Sequence, residues 1–136
     1  MIRRDIKLYV AGPIQGDNLL DALANINSGE VWQARLFQLG FSPFPVFSDY
    51  SFIMRVRPVP PIGDVYSYSV AWLRVADAML LLSGWETSVG CQREIKEAER
   101  LAIPVFRDVD QLCLWADKMC GLNTPSIEEQ LARSDD

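Results

Sequence analysis

A chain of 136 residues, 49% hydrophobic and 23% charged, has the size and balance of one globular domain over residues 1–136, and this excludes a largely disordered chain. Its three cysteines are too few for a disulfide scaffold, cannot all pair internally and lack metal-ligand spacing; no metal and no other cofactor is expected. A net charge of −5 with a pI of about 4.7 argues against a binder of nucleic-acid polymers, which needs a basic face, while a few local donors can still hold a small anion.

At the N-terminus, Met1-Ile2-Arg3-Arg4-Asp5 carries no signal-peptide pattern, and no apolar run approaches the roughly 20 residues of a membrane span. A cytoplasmic protein without membrane contact is expected. Residues 6–11 read as a buried strand ended by Gly12-Pro13, and Gly16-Asp17-Asn18 continues the loop. A helix follows and stops at Gly40, a residue type suited to the position just past a helix. Trp32, Leu36 and Leu39, with Val31 and Phe37 beside them, set its apolar face. Its start is open, because Asn25, Asn27, Ser28 and Gly29 are weak helix formers and Ser28 is itself a candidate N-cap.

Residues 41–47 read as a second strand that two prolines shorten or push to an edge. Residues 48–64 form a long loop of the kind that serves as a lid, serves as a binding loop or is disordered, and Asp64 reads as the N-cap of a helix over 65–75 carrying Val70, Trp72 and Leu73. Asp77 is a structural turn or cap, and residues 78–82 are a central strand buried on both faces. Residues 84–90 form a loop, 91–101 a helix with Ile95 and Ala98 inward, 103–106 a strand and 109–118 a helix. Thr124-Pro125 leads into a last helix, with Ser126 and Glu129 spaced as a capping box. Strands alternating with helices imply an α/β fold, a parallel sheet of four to five strands with helices on both faces. Ligands of such sheets sit at the carboxyl ends of the strands near a topological switch point. That selects two loops, residues 12–18 and 83–90.

Histidine is absent, which removes Ser-His-Asp and Cys-His nucleophilic schemes and leaves chemistry to carboxylates, Tyr, Ser, Cys or Lys. The first loop lacks a dinucleotide fingerprint and a Walker lysine; its glycines either make a plain turn or let backbone N–H groups approach a ligand. The second loop, Gly84-Trp85-Glu86-Thr87-Ser88-Val89-Gly90, leads into a helix whose free N–H groups suit an anion, typically a phosphate. Ser88 either caps that helix or donates to the anion. Glu94 lies one turn after Gly90, so it is either a carboxylate beside the anion or a solvated surface residue. Trp85 stacks on a flat ring or caps the core. Arg55 and Arg57 reach a phosphate from the long loop or form a solvated face. Cys91 reads as a small buried residue, since no basic partner is evident to activate it.

Tyr9-Val10-Ala11-Gly12-Pro13-Ile14, then Trp72-Leu73-Arg74-Val75-Ala76-Asp77 before an apolar strand, then the second loop with Glu94, then Ala98 and Ile103-Pro104-Val105, are similar in order and spacing to a known pattern. Over residues 6–106 they resemble the nucleoside 2-deoxyribosyltransferase-like superfamily. The likeness is to its small members, the deoxynucleoside 5′-monophosphate N-glycosidases and uncharacterised phage and bacterial relatives. The resemblance implies a flavodoxin-like or Rossmann-like three-layer sandwich, a homodimer or higher homo-oligomer with sites near subunit contacts, and a nucleoside or nucleotide as ligand. It also implies cleavage of an N-glycosidic bond, with Glu94 attacking the anomeric carbon. A carboxylate there stabilises an oxocarbenium-like transition state and traps it covalently, as in retaining glycosidases, before water or a second base takes the sugar.

By the same resemblance Tyr9 positions the nucleophile. Gly12, Ile14 and Gly16 wrap the sugar-phosphate, Ser88 binds the 5′-phosphate, and Gly90, Ser69 and Trp85 complete the substrate-binding group. Gln15 replaces a basic residue of some relatives and so weakens phosphate binding. Ser69 stands where related glycosidases carry an Asp that serves the sugar or the leaving base. A hydroxyl cannot shuttle a proton as a carboxylate does at neutral pH. Either Asp64 or Asp49 supplies the acid, or the activity differs, or the protein is a non-catalytic nucleotide-binding module or sensor.

Overall fold

Two continuous apolar runs form the middle of the sheet. In the computed structural model, which describes residues 1–44, 46–121 and 131–132, β1 (Lys7–Ala11) and β3 (Ala78–Leu81) are buried at every residue except Lys7. They pair in parallel, Leu8 against Ala78 through Ala11 against Leu81. The edges are β2 (Ser42–Pro43) beside β1 and β4 (Val105–Phe106) beside β3, also parallel, giving the order β2-β1-β3-β4. Pro43 cannot donate to a ladder, which suits an edge.

Alternation along β1 and β3 sends successive side chains to opposite faces. Leu8, Val10, Ala78 and Leu80 meet Leu36 of α1 (Leu19–Gln38) and Leu112 and Ala116 of α5 (Val109–Met119). Tyr9, Ala11, Met79 and Leu81 meet Leu73 of α3 (Ile62–Leu73) and Cys91 and Ala98 of α4 (Val89–Arg100). The result is a three-layer α/β sandwich of flavodoxin-like type. The chain steps from β1 to β2 on one side and then to β3 on the other, so the switch point lies between β1 and β3.

Several boundaries differ from the sequence expectation. Helix α1 begins at Leu19, capped by Asn18, whose side chain accepts from the Asp21 N–H at 2.9 Å; Ser28 is therefore mid-helix and caps nothing. Gly29 is buried there because a Cβ would come 2.2 Å from the Phe47 ring. Leu36 is the buried member of the expected stripe and Trp32 packs at its margin, whereas Val31, Phe37 and Leu39 are exposed. Gln33 takes their place on the inner face, its amide donating to the Phe44 carbonyl. The stop at Gly40 holds: φ is +99°, the Gly40 N–H donates to Phe37 O at 3.0 Å and the Phe41 N–H to Leu36 O at 3.1 Å.

Strand β2 has two residues rather than seven, and the 48–64 segment contains a one-turn helix, α2 (Tyr50–Ile53). Helix α3 starts at Ile62 after Pro61, whose φ of −63° leads into it, so Asp64 lies in the first turn and is not the cap. Asp77 is a structural turn. Its carboxylate accepts from the Lys7 N–H, and its own N–H donates to the Lys7 carbonyl, both at 2.8 Å. The expected capping box of Ser126 and Glu129 lies outside the described residues. Among the described residues, no helix is long and apolar enough to cross a membrane.

Candidate active site

At the carboxyl ends of β1 and β3 the chain encloses a cleft of about 370 Å³. Residues 12–15 after β1 form one side, and residues 87–91 with the first turns of α4 form the second. Asp49, Tyr50 and Ile53, with the α3 residues Tyr66 and Ser69, belong to the third. Gly84 joins the first two sides into one rim. Its φ is +94°, and a Cβ there would lie 2.8 Å from Pro13 Cγ. Glycine alone tolerates that backbone and leaves Pro13 room.

Glu94 projects from α4 into this cleft. Three phenols are near enough to feel its charge: Tyr9 from β1, Tyr50 from α2 and Tyr66 from α3. Glu94 Oε2, Tyr9 Oη and Tyr66 Oη are all buried, and none meets a partner at full hydrogen-bonding geometry, although Tyr9 Oη lies close enough to Glu94 to interact with its carboxylate. Buried polar atoms are seldom left unpaired; three such atoms in one place fit a site that a ligand completes. Withdrawal from water pushes the Glu94 carboxyl up to about 7, and the neighbouring Tyr9 phenol opposes the rise by favouring the carboxylate. Burial, then the Glu94 charge, lifts Tyr9 well above the usual phenol range, so it remains a neutral donor.

Ser88 caps α4, its hydroxyl accepting from the Cys91 N–H at 3.2 Å, and also lines the cleft. A Cβ on Gly90 would sit 2.8 Å from Tyr66 Oη and 3.7 Å from Ser88 Oγ, so the bare glycine admits the phenol beside the helix N-terminus. Burial raises the Cys91 thiol to about 11, leaving it inert.

Gly12, Ile14, Ser69, Ser88, Gly90 and Glu94 therefore share one cleft. Ser69 also lines a cavity adjoining it, and Tyr9 lines that cavity and not the cleft. Two further expected members stand elsewhere. Gly16 lies outside the lining, packed so closely on Asp21 that a Cβ would come 2.4 Å from Asp21 Cβ; it turns the chain into α1. Trp85 packs on the core shared by α3 and α4, with the Arg107 guanidinium 4.8 Å from its ring centroid, and caps that core rather than facing the cleft.

The loop arginines do not reach the cleft. Arg55 donates to the Ser51 carbonyl, and Arg57 to the Met54 and Val56 carbonyls. The cleft's cation is Arg93, whose guanidinium lies 4.6 Å from the Tyr66 ring centroid. Sequence reasoning missed Arg93, Tyr50 and Tyr66. Arg93 directly precedes Glu94 and was within reach of a helical reading, but no motif marks the two tyrosines. Of the two acids considered, Asp49 lines the cleft and Asp64 does not. Among the described residues, no group of three or more Cys, Asp or Glu side chains is placed to hold a metal ion.

Set against known protein families, residues 6–107 match a domain of unknown function, DUF4406, a span of 102 of the 136 residues that includes every side of the cleft. No curated protein matches the chain.

Proposed function

The chain belongs to the DUF4406 family, and from the cleft together with the resemblance of its sequence to the nucleoside 2-deoxyribosyltransferase-like superfamily we propose that it cleaves the N-glycosidic bond of a (deoxy)nucleoside or its 5′-monophosphate, with Glu94 as the nucleophile. The observation that carries this reading is Glu94 Oε2, a buried and unpaired carboxylate oxygen at the switch point of a parallel sheet. A carboxylate so placed is costly to the fold and suited to a cationic transition state.

In the proposed reaction a Glu94 oxygen attacks the anomeric carbon, the C–N bond breaks, and its electron pair leaves with the base. Tyr9 keeps the carboxylate in position. The N-terminus of α4, with Ser88 and Arg93, takes the phosphate, and residues 12–15 take the sugar. Ser69 cannot supply the departing base with a proton. Asp49 takes that role, because it lines the cleft and partial burial raises its carboxyl above the usual range, the Tyr68 phenol opposing. Water or a second base then attacks the sugar carbon and frees Glu94.

The test is a chromatographic assay for free base, run over nucleosides and 5′-monophosphates in deoxy and ribo forms. Wild-type protein is expected to release base, and Glu94→Gln to lose at least about a thousandfold, the scale of removing a covalent nucleophile. Because attack needs the carboxylate, kcat/KM is expected to rise with pH through about 7. If no substrate releases base while nucleotides still raise Tm, the protein is a binding module and Ser69 is the reason.

A further inference from the structure

The three sides of the cleft are fixed by different means. The loops after β1 and β3 run on from the sheet, with the Leu82 N–H donating to the Ala11 carbonyl at 2.8 Å. The third side is closed on itself. Among the described residues, every backbone hydrogen bond donated by residues 51–56 ends on a carbonyl of residues 48–53. The guanidiniums of Arg55 and Arg57 are likewise spent on the carbonyls of Ser51, Met54 and Val56. These bonds shape the turn of α2 and tie none of it to the sheet, so side chains must seat it. Tyr50 and Ile53 line the cleft. Phe52 and Asp49 both meet one residue of α3, Tyr68.

Tyr68 holds the turn with both parts of its side chain. Its ring and that of Phe52 stand nearly edge to face, centroids 5.5 Å apart and planes inclined at 71°, an arrangement that aromatic quadrupoles favour. Its hydroxyl lies close enough to the Asp49 carboxylate to interact with it. Trp72, one turn further along α3, reaches the same hydroxyl. An indole N–H only donates, so the phenol oxygen accepts from Trp72 and turns its own proton to Asp49. Leu73, beside Trp72, is fully buried, so this relay is anchored in a helix that belongs to the core. Asp49 lines both the cleft and the cavity adjoining it. A carboxylate has two oxygens, so one accepts from Tyr68 while the other serves the cleft.

We propose that Tyr68 is a positioning residue, whose ring seats the Tyr50–Ile53 turn against α3 and whose hydroxyl aims the Asp49 carboxyl at the cleft. The seating stands on the contacts alone. What Asp49 does once aimed, giving the departing base its proton, rests on the N-glycosidase reading. Ring and hydroxyl belong to one side chain. A turn that swings away from α3 therefore takes Asp49 off its donor, and the acid is aimed only while the cleft is covered.

Trypsin cleavage of the native protein at the Arg55–Val56 bond, with fragments identified by mass, reads the seat. Phe52→Ala and Tyr68→Leu are expected to speed that cut about fivefold, the scale of one lost aromatic pair. Tyr68→Phe keeps the ring and is expected to change it less than about twofold, and cuts outside residues 50–60 stay as in the wild type. The seat is overturned if neither ring variant speeds the Arg55–Val56 cut, or if cuts everywhere speed up together. Should Tyr68→Leu fail to fold, Phe52→Ala, on the exposed turn, carries this test. Base release reads the aim. Tyr68→Phe is expected to lower kcat about tenfold with KM held within about twofold, and to cost less than about twofold in Asp49→Asn protein, since the hydroxyl acts through the carboxylate. Equal losses with and without the Asp49 carboxylate overturn the aim. If no substrate releases base, the Asp49 carboxyl 13C resonance reads the aim instead. Its titration midpoint is expected to move up in Tyr68→Phe, because the phenol that favours the carboxylate is gone, and an unmoved midpoint overturns it. Faster cleavage at Arg55 without base release from any substrate removes the glycosidase reading alone. Base release by wild-type protein with cleavage and kcat unchanged in every Tyr68 variant removes the positioning role alone.

Discussion

On the face of the sheet toward α1 and α5, the buried set of Leu8, Val10, Leu36, Leu80 and Leu112 contains no carboxylate and no phenol. On the face toward α3 and α4, the same two strands contribute Tyr9 and Met79, and the cleft above adds Glu94. The first face gains from burial with almost nothing polar to desolvate. The second withdraws a phenol and a carboxyl oxygen from water and leaves them unpaired, which costs stability. Strand parity separates the two tasks. Even-numbered positions of β1 and β3 hold the fold together, and odd-numbered ones lead up to the candidate chemistry.

The contrast is broken most severely on the even side. Leu36 is fully buried, so Leu36→Ala is expected to destabilise the protein by about 2–5 kcal/mol, read from urea midpoints, with base release per folded molecule unchanged. A matching loss of specific activity would mean the faces are not independent.

The odd side is expected to respond with the opposite sign. Glu94 titrates at about 7 in the fold against an ordinary 4.5, so the folded state holds its proton more tightly than the unfolded chain. Wild-type stability is therefore full below about pH 4.5 and falls as pH rises through about 7. Glu94→Gln escapes that fall. It should match the wild type at pH 4 and exceed it by up to about 3 kcal/mol at pH 8. Equal stability of the two proteins at pH 8 would show that the carboxylate is not desolvated.

The smallest effect sharpens the even side. Alanine is a better helix former than glycine by about 1 kcal/mol, yet Gly29→Ala drives a Cβ into the Phe47 ring. Overpacking of about 1–3 kcal/mol should outweigh the helical gain, lowering Tm by a few degrees. A rise in Tm would mean that Phe47 moves aside freely.

Much of this arrangement is legible in the sequence where local rules decide. The apolar runs of β1 and β3, the glycine stop at residue 40, and the helical spacing of Ser88, Gly90 and Glu94 all follow from period and residue type. The start of α1 does not, because packing of Gly29 on Phe47 overrides the weak propensity of residues 25–29. Arg55 and Arg57 sit in a loop, where side-chain direction obeys no period, and neighbouring carbonyls claim both; Trp85 opens a single 3-10 turn, too short to carry a period, and the core with Arg107 claims it. Tyr50 and Tyr66 are lone residues on separate helices. Only the folding of α2 and α3 over the strand ends brings them to Glu94.

The Gly84–Pro13 contact has a kinetic meaning. Because Pro13 lies where a Cβ on Gly84 would be, the loops after β1 and β3 are wedged together and cannot part without breaking that packing. Two of the three sides of the cleft thus behave as one solid jaw. The traffic of molecules in and out is left to the third, the short helix Tyr50–Ile53 and the exposed chain that follows it. Substitutions in that segment are therefore expected to change how long a ligand stays over Glu94, read as a change in turnover, more than substitutions at the wedged loops that spare the reacting groups.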